Sequence, residues 1–445
     1  MPSVHSSSRT LWNPLLDGSQ ARIARETILA IAEAVRGEFD NILQKCKEPP
    51  DNYAPAFELG EGAAGMAVFF AYLHLAGLLA NARETAFGFL DAAIETMSSR
   101  VMTPSLFSGF TGVGWAARHV MDLLGEPSSD LTEELDLALE QYVGHTPWKD
   151  DYDLISGLVG FGVYCLEQRD SEPARRALTL IVERLCELAE QSEDEVRWFT
   201  PPELLVEMQR KDYPQGYYNL GLAHGIPGVI ALLSRTAEAG VAAEKSTRML
   251  KGSVEWLLKQ RMNGTNSSFS GFLVPESGVH GNKSDDCRLA WCYGDGGAAA
   301  ALMQAARRTG TPSWEHEALA IARKAAQRDR EVCGVRDVCF CHGAAGLLQV
   351  FNRFYQATGE EVFADAARRW LDATLEYRKP GTGVAGYQVY SANNSMEVEL
   401  MSRFGVIEGA AGVGLSLLAA IGDIEPNWDR IFQVDIPPHP LSNHR

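Results

Sequence analysis

Two cysteines and two histidines stand beside glycine-rich turns in the second half of the chain, and their chemistry suits a metal site. His224 opens "HGIPG", Cys292 lies in "WCYGDGG", and Cys341 with His342 begins "CHGAAG". Thiolate sulfur and imidazole nitrogen are ligands that zinc prefers. A lone buried cysteine is more often a small core residue. The combination, rather than any single residue, therefore predicts a zinc site.

Two thiolates and one imidazole make only three zinc ligands, and this count indicates the kind of chemistry. Structural zinc normally takes four protein ligands, whereas catalytic zinc keeps one position open. Cys339 and Cys287 are rival candidates for a further ligand. Two thiolates cancel the charge of the ion, so such a centre would polarise a carbonyl poorly but would bind and ionise another thiol well. We expect zinc-assisted thiol chemistry, with water activation for hydrolysis as a less natural use.

The glycine-rich turns recur along the chain and identify a repeat protein. The intervals between them are about 48 or about 68 residues, so three intervals hold extra residues. We expect a single domain over residues 1–445 with insertions near 192–222, 263–288 and 378–403. These polar, aromatic-containing segments predict loops or short strands that could hold a substrate. The first glycines of the seven motifs are Gly62, Gly109, Gly157, Gly225, Gly294, Gly343 and Gly409.

Two kinds of helical segment alternate between these motifs. Ile28, Ile31 and Val35 follow the spacing of an amphipathic helix. Segments directly after the glycine motifs, such as "MAVFFAYLHLAGLLA", are apolar nearly all round and must be covered on every side. This alternation predicts an all-α fold, an α/α toroid of seven inner and seven outer helices. All seven motifs would then meet at one mouth, with Cys292 and Cys341 at equivalent, adjacent positions.

Composition and charge exclude several classes of protein. A formal net charge of −18 opposes binding to nucleic acid, which needs clustered Lys and Arg. The first residues hold no apolar core of a secretory signal, which predicts a cytoplasmic protein whose eight cysteines do not form disulfides. The uncharged segment 62–82 has the length of a membrane span. Its glycines and His74 favour a helix buried in protein instead.

Several motifs together resemble the lanthionine synthetase C-like cyclases, namely "YDLISGLVG", "NLGLAHGIPG", "RLAWCYGDGG", "CFCHGAAG" and "IEGAAGVGL". The resemblance covers almost the whole chain, and the Trp-Cys-Tyr-Gly and Cys-His-Gly motifs are its specific part. No dehydratase or kinase region is expected before the repeats, as in stand-alone bacterial cyclases. Such enzymes have the toroid fold of seven inner and seven outer helices. They add cysteine thiols of a precursor peptide to dehydroalanine or dehydrobutyrine, which forms the thioether rings of lantibiotics.

The resemblance also implies the ligands of the metal. It assigns one Zn²⁺ ion to Cys292, Cys341 and His342, with the substrate thiol in the fourth position. The substrate would be a dehydrated lantibiotic precursor peptide. The resemblance is further compatible with a membrane-associated complex that contains a dehydratase and a transporter.

Four further residues match active-site positions of the family. The resemblance makes His224 the leading candidate for the acid that protonates the α-carbon after thiol attack. Asp153 would orient or charge-pair this histidine, and Arg288 and Tyr293 would steady the enolate or the substrate. Structural alternatives are a helix cap for Asp153, a solvated charge for Arg288 and ring packing for Tyr293.

Two other functions stay open at the level of sequence. One is a thiol-binding module that captures a small thiol such as glutathione and forms no ring. The other is a prenyltransferase-like enzyme that alkylates a peptide thiol on zinc, whose ligand set would normally include a carboxylate.

Overall fold

Helices make up most of the described chain, and only short strands interrupt them. The computed structural model describes residues 12–47, 56–127, 132–263, 266–274, 286–392 and 397–437. The helices are α1 (Gly18–Gly37), α2 (Phe39–Lys47), α3 (Ala63–Leu75), α4 (Ala82–Ser98), α5 (Phe110–Leu124), α6 (Glu133–Val143), α7 (Leu158–Glu167), α8 (Glu172–Leu188), α9 (Glu207–Asp212), α10 (Ile226–Glu238), α11 (Ala243–Lys259), α12 (Asp295–Thr309), α13 (Pro312–Ala326), α14 (Ala344–Thr358), α15 (Glu361–Glu376) and α16 (Ala410–Ile421). The strands are β1 (Glu190–Gln191), β2 (Val196–Arg197), β3 (Tyr218–Asn219), β4 (Phe272–Leu273), β5 (Val389–Ala392) and β6 (Val398–Met401).

The helices form two concentric rings, and this confirms the predicted all-α toroid. Within the described residues the inner ring consists of α3, α5, α7, α10, α12, α14 and α16. The outer ring consists of α4, α6, α8, α11, α13, α15 and α1. Each inner helix packs against the outer helix that follows it, and α16 packs against both α1 and α3. The first long helix of the chain therefore closes the ring.

The apolar patterns explain which helix lies in which ring. In α3 every residue from 63 to 73 is buried, as its all-round apolar sequence requires. In α1 only one face is buried, and that face includes Ile28, Ile31 and Val35. Helix α3 has 13 residues, which is too short to span a bilayer. Across the part of the chain that the structure describes, no helix combines the length and the apolar character needed for a membrane crossing.

The seven motif glycines are the N-caps of the seven inner helices. Each packs so tightly against the preceding loop that a Cβ would lie under 2.5 Å from a backbone atom. Gly294 has the strictest requirement, because its φ is +85° and its Cβ would lie 2.1 Å from the carbonyl oxygen of Arg288. Both conditions restrict this position to glycine.

Backbone hydrogen bonds tie the loops at the mouth to one another. The residue two positions before each capping glycine belongs to a set that we call the mouth belt, which consists of Gly60, Phe107, Ile155, Ala223, Cys292, Cys341 and Ile407. The amide of Ala223 donates to the carbonyl of Cys292 (3.3 Å), and the amide of Cys292 donates to that of Cys341 (3.2 Å). Cys341 donates in turn to Ile407 (2.9 Å), which donates to Gly60 (3.2 Å). The two cysteines are therefore direct neighbours in the belt.

The predicted insertions hold short strands, and the first also holds a short helix. Segment 192–222 contains β2, α9 and β3, and β3 pairs antiparallel with β4 from segment 263–288. Segment 378–403 contains β5 and β6, which pair with each other. Residues 264–265, 275–285 and 393–396 of these segments, like the N-terminal residues 1–11, lie outside the described residues. Helix α9 was not expected from the sequence, which indicated loops or strands there. The assignment of the whole chain to one domain stays a prediction.

The last described segment, residues 426–436, packs against the inner helices, and we call it the C-terminal segment. It includes a short 3-10 helix, Asn427–Phe432. Asp429 is fully buried and accepts two hydrogen bonds from the guanidinium of Arg353 in α14, at 2.7 and 2.8 Å. The carbonyl of Gln433 accepts a hydrogen bond from Gln304 of α12. This segment therefore links separate inner helices.

Candidate metal centre and active site

Cys292, Cys341 and His342 lie together at the mouth. One potential ligand atom from each residue lies within 4.8 Å of the others. The adjacency follows from the repeat, because both cysteines occupy mouth-belt positions joined by a backbone hydrogen bond. Cys292 is 4% exposed, whereas Cys341 and His342 are partly exposed. The structure thus brings together the three residues that the sequence analysis assigned to the metal.

The two thiols favour a bound cation. The neighbouring thiol of Cys341 lowers the pKa of Cys292 to about 6, and the positive charge of Arg288 adds to this effect against the opposing influence of burial. The same proximity, together with burial, raises the pKa of Cys341 well above its ordinary value. One thiol therefore ionises readily while the second resists, since two adjacent thiolates repel each other. A divalent cation between them would stabilise both, so the donor set fits zinc.

A second group of potential ligands shares His342 and includes Asp337 and Cys339. Cys339 is fully buried, and burial raises its pKa well above the ordinary value. Its sulfur already accepts a hydrogen bond from the amide of His342 at 3.4 Å. Both oxygens of Asp337 accept backbone hydrogen bonds. This group is less suited to an accessible metal than Cys292, Cys341 and His342.

Cys287, the other rival ligand, belongs to neither group among the described residues. It is 8% exposed, and burial together with the charge of Asp295 raises its pKa to about 12. A thiol with such a pKa stays protonated near neutral pH. All eight cysteines of the chain are free thiols.

His224 and Asp153 form a hydrogen-bonded pair at the same mouth. Nδ1 of His224 lies 2.5 Å from Oδ2 of Asp153, whose Oδ1 accepts the amide of Ser156 at 2.8 Å. Burial lowers the pKa of His224, but the hydrogen bond and the charge of Asp153 outweigh it, and the net shift is upward. The His224 side chain is 44% exposed, whereas that of Asp153 is 11% exposed. The carboxylate thus fixes one ring nitrogen and leaves the other, Nε2, free to exchange a proton.

Tyr293 lies beside His224, with a ring-centroid distance of 6.3 Å. Its hydroxyl oxygen accepts a hydrogen bond from Nδ2 of Asn219 at 3.0 Å. Asn219 is 1% exposed and also accepts the amide of Gly221, so its amide group is held in place. Since the oxygen of Tyr293 is already an acceptor, the hydroxyl hydrogen remains for donation to a ligand.

Arg288 is exposed at the mouth in the electrostatic field of the thiols. Partial desolvation lowers its pKa, but Cys292 and Cys341 raise it further, so the net shift is upward. The guanidinium consequently keeps its positive charge beside the two sulfurs. This position is compatible with a bound anion or a developing oxyanion.

A cavity of about 380 Å³ opens beside the catalytic candidates. His224, Asp153, Tyr293 and Asp151 are among the residues that line it. Burial and the charge of Asp153 raise the pKa of Asp151 to about 6. The first insertion also lines the cavity, through Leu204, Leu205, Val206, Gln209 and Tyr217. The insertion therefore bounds the space that a ligand of His224 would enter.

Comparison with known families shows to which family the chain belongs. A family model described as lanthionine synthetase C-like protein matches residues 56–433. The chain belongs to the lanthionine synthetase C-like family. This family assignment agrees with the resemblance found in the sequence motifs, and the matched region contains every candidate residue described above.

Two relatives of this lanthionine synthetase C-like chain illustrate the relationship. The nisin biosynthesis protein NisC of Lactococcus lactis subsp. lactis is 25% identical over 296 residues, which are 62% of this chain and 69% of NisC. The solved structure of a nisin cyclase superposes with a TM-score of 0.72 at 21% identity. That match covers 90% of this chain and 97% of the nisin cyclase. The structural likeness supports the toroid fold.

Sequence reasoning missed three parts of the site in this lanthionine synthetase C-like protein. Asn219 stands in the quoted motif "NLGLAHG" but was not recognised as the partner of Tyr293. Asp337, five positions before His342, was overlooked, because its place beside His342 is fixed by a contact with strand β5 that is distant in sequence. The C-terminal segment carried no signal, because neither repeats nor periodicity mark it.

Proposed function

We propose that this protein is a zinc-dependent lanthionine synthetase, a cyclase that adds peptide cysteine thiols to dehydroalanine or dehydrobutyrine. The observation that carries the proposal is the cluster of Cys292, Cys341 and His342 within 4.8 Å at the mouth. The pair of His224 and Asp153 at the same mouth supplies acid–base chemistry beside it. Membership of the lanthionine synthetase C-like family and similarity to NisC support the proposal.

Cys292, Cys341 and His342 would hold one zinc ion. A zinc ion in this site would coordinate the substrate thiol at the open position of the metal, and the thiol would then be ionised and nucleophilic near neutral pH. Cys292 and Cys341 are held by the hydrogen bonds of the mouth belt, so their spacing does not depend on the ligand. This arrangement orients a thiol for attack without a large rearrangement of the loops.

His224 would protonate the product carbon. Attack of the thiolate on the alkene β-carbon leaves a carbanion at the α-carbon, stabilised as an enolate, which must receive a proton. Because Asp153 binds Nδ1, the proton is delivered from Nε2 of the imidazolium. The upward shift of the His224 pKa increases the fraction of imidazolium near neutral pH.

Arg288 and Tyr293 would stabilise the enolate oxygen. Both offer hydrogen-bond donors, and the guanidinium adds positive charge where negative charge develops. Asn219 fixes the orientation of the Tyr293 hydroxyl through its own hydrogen bond. The alternative readings as a solvated charge and as ring packing would leave the rate of ring formation unchanged on substitution.

The proposed partner is a dehydrated lantibiotic precursor peptide. The cavity walled by the first insertion would receive the segment of the peptide next to the dehydrated residue. Assembly with a dehydratase and a transporter at the membrane surface belongs to the same proposal and rests on the resemblance alone. A cytoplasmic location is part of the proposal as well.

Counting free thiols on a dehydrated precursor peptide tests this function, because cyclisation leaves the mass unchanged. We expect the zinc-loaded protein to consume one peptide thiol for each ring without a change in mass. Addition of a prenyl group or of an external thiol would increase the mass, which separates these two alternatives. An undiminished thiol titre with zinc present would refute the proposed function.

Variants separate the metal ligands from the acid. Cys292→Ala and Cys341→Ala should lose most of the bound zinc, whereas His224→Asn should retain zinc and lose ring formation by about 100-fold or more. Metal analysis together with the thiol assay measures both effects. Equal zinc content in all three variants would contradict the assigned roles.

A further inference from the structure

The carboxylate of Asp337 is buried beside the candidate metal centre and held from two sides. Its side chain is 2% exposed. Oδ1 accepts the amide of Cys339 at 3.1 Å, and Oδ2 accepts the amide of Tyr390, in strand β5, at 2.9 Å. The group is therefore anchored both to the loop that carries Cys341 and His342 and to the third insertion. A carboxylate so anchored cannot turn away without losing two hydrogen bonds.

The imidazole of His342 faces this anchored carboxylate. Nε2 of His342 lies 3.6 Å from Oδ2 of Asp337. This distance exceeds that of a normal hydrogen bond, but it is within the range of a direct electrostatic interaction. The two backbone amides that donate to this carboxylate favour its ionised form. A negative charge in this position favours a proton on Nε2 of His342.

We propose that Asp337 is a positioning residue that selects the tautomer and the orientation of His342, so that Nδ1 faces the thiols of Cys292 and Cys341. The inference rests on the proposed function only in taking these three residues as the ligands of zinc. A histidine that binds a metal through one ring nitrogen commonly donates the other N–H to a carboxylate. Such a partner fixes the ring and makes the ligating nitrogen more basic.

The alternative role for Asp337 is that of a direct metal ligand. Asp337, Cys339 and His342 themselves form a compact group of potential metal ligands. If this second group held the metal, both Asp337 and Cys339 would be ligands. If Asp337 acts through His342, the thiol of Cys339 has no part in holding the metal. Substitution of Cys339 therefore distinguishes the two roles.

The test measures zinc affinity by competition with a chromophoric chelator, without peptide, on the full-length protein. Asp337→Asn keeps the size of the side chain and removes its charge. We expect it to weaken zinc binding by about 10-fold to 100-fold, the range for loss of such partners. Cys339→Ser is the matched control and should bind zinc within twofold of the parent protein. The absorption spectrum of the Co²⁺-loaded protein should change in Asp337→Asn and should stay the same as that of the parent protein in Cys339→Ser.

A double-mutant cycle separates positioning from a general effect on folding. If Asp337 acts through His342, Asp337→Asn should cause no further loss of affinity in a His342→Ala background. An equal loss in both backgrounds would show a structural role and overturn the inference. So would unchanged affinity in Asp337→Asn alone, or a loss in Cys339→Ser as large as that in Cys292→Ser.

Different experimental results would overturn the proposed function and the proposed role of Asp337. A parent protein that binds no zinc, or binds it equally well after Cys292→Ser, overturns both. A parent protein that binds zinc through Cys292 while Asp337→Asn binds it unchanged overturns only the role of Asp337.

Discussion

At the scale of single residues, the site depends on which nitrogen of each histidine is engaged by a carboxylate. Asp153 binds Nδ1 of His224, and Asp337 faces Nε2 of His342. The two imidazoles are thereby prepared for different tasks. Each carboxylate raises the pKa of its imidazole against the opposing effect of burial, but it engages a different ring nitrogen, which leaves Nε2 of His224 to donate a proton and Nδ1 of His342 to bind a metal. Similar residues acquire different chemistry from the position of one neighbouring carboxylate.

Replacement of Asp153 should shift the pH dependence of ring formation. Its carboxylate raises the pKa of His224, so the imidazolium persists to higher pH and is lost as the pH rises through that value. In Asp153→Asn the pKa of His224 should fall, and the alkaline limb of the pH–rate profile should move to lower pH by about one unit. The measurement is the initial rate of thiol loss across pH.

The control for this prediction is Asp170→Asn, since Asp170 is 87% exposed and pairs with Arg118 away from the mouth. Its profile should match that of the parent protein. An alkaline limb that stays in place in Asp153→Asn would show that His224 does not supply the proton, or that Asp153 does not control it.

At the scale of elements, the recurring unit is a loop, a capping glycine and an inner helix. The glycine allows the loop to fold back against the helix start, and the mouth belt then fixes each loop to the next. Cys292 and Cys341 are neighbours because they occupy the same position in consecutive units. Their adjacency is therefore a property of the repeat rather than of the metal.

Gly294 offers a direct test of this unit. With φ +85° and ψ −166°, it occupies a backbone region that is nearly exclusive to glycine. Gly294→Ala should destabilise the protein by about 3 kcal/mol or more, because the strain is joined by a clash with the carbonyl of Arg288. Zinc affinity should fall as well, since Cys292 lies two residues away. Urea unfolding and chelator competition measure the two effects.

Gly310, which ends the same helix, is the matched control. Its φ is +64°, but a Cβ there would meet nothing within 4 Å. Gly310→Ala should cost only about 1–2 kcal/mol and leave zinc affinity unchanged. Equal effects of the two substitutions on stability and on metal would contradict the role given to the close packing at Gly294.

These elements were largely predictable from sequence, because the signals are local and repeated. The glycine signature located the starts of all seven inner helices, and apolar periodicity separated the inner from the outer helices. The pairing of β3 with β4 was not predictable, since it joins two insertions that share no pattern. The contact of Asp337 with β5 is equally long-range, and therefore the positioning of His342 emerged only from the structure.

At the scale of the whole molecule, the C-terminal segment contacts the loops that carry the candidate metal ligands. The carbonyl of Phe432 accepts a hydrogen bond from Nε1 of Trp291 at 2.7 Å. Its ring stacks on Phe340 with a centroid distance of 3.9 Å. Trp291 and Phe340 directly precede Cys292 and Cys341. The C-terminal segment thus contacts both thiol-bearing loops at once.

Phe432→Ala should affect both stability and metal binding. The side chain is fully buried, so its loss should cost about 3–5 kcal/mol. The rings of Trp291 and Phe340 both pack on the Phe432 ring, with centroid distances of 5.0 and 3.9 Å. Because the substitution removes this shared ring, the two thiols should be held less firmly and zinc affinity should fall. Thermal unfolding and chelator competition at a temperature where the variant is folded measure the two quantities.

Phe354→Ala provides the comparison, since Phe354 is also fully buried but packs against Phe363 of α15. It should lose similar stability and keep its zinc affinity. If the folded Phe432→Ala protein bound zinc as well as Phe354→Ala, the C-terminal segment would have no role in positioning the thiols.

In the proposed site, three protein ligands hold zinc and leave one position for a thiol. X-ray absorption at the zinc edge tests it most directly. The zinc-loaded protein should show two sulfur neighbours at about 2.3 Å, and addition of a cysteine-containing substrate peptide should raise the count to three. A sulfur count that stays unchanged when peptide is added, or four protein ligands from the start, would contradict the account.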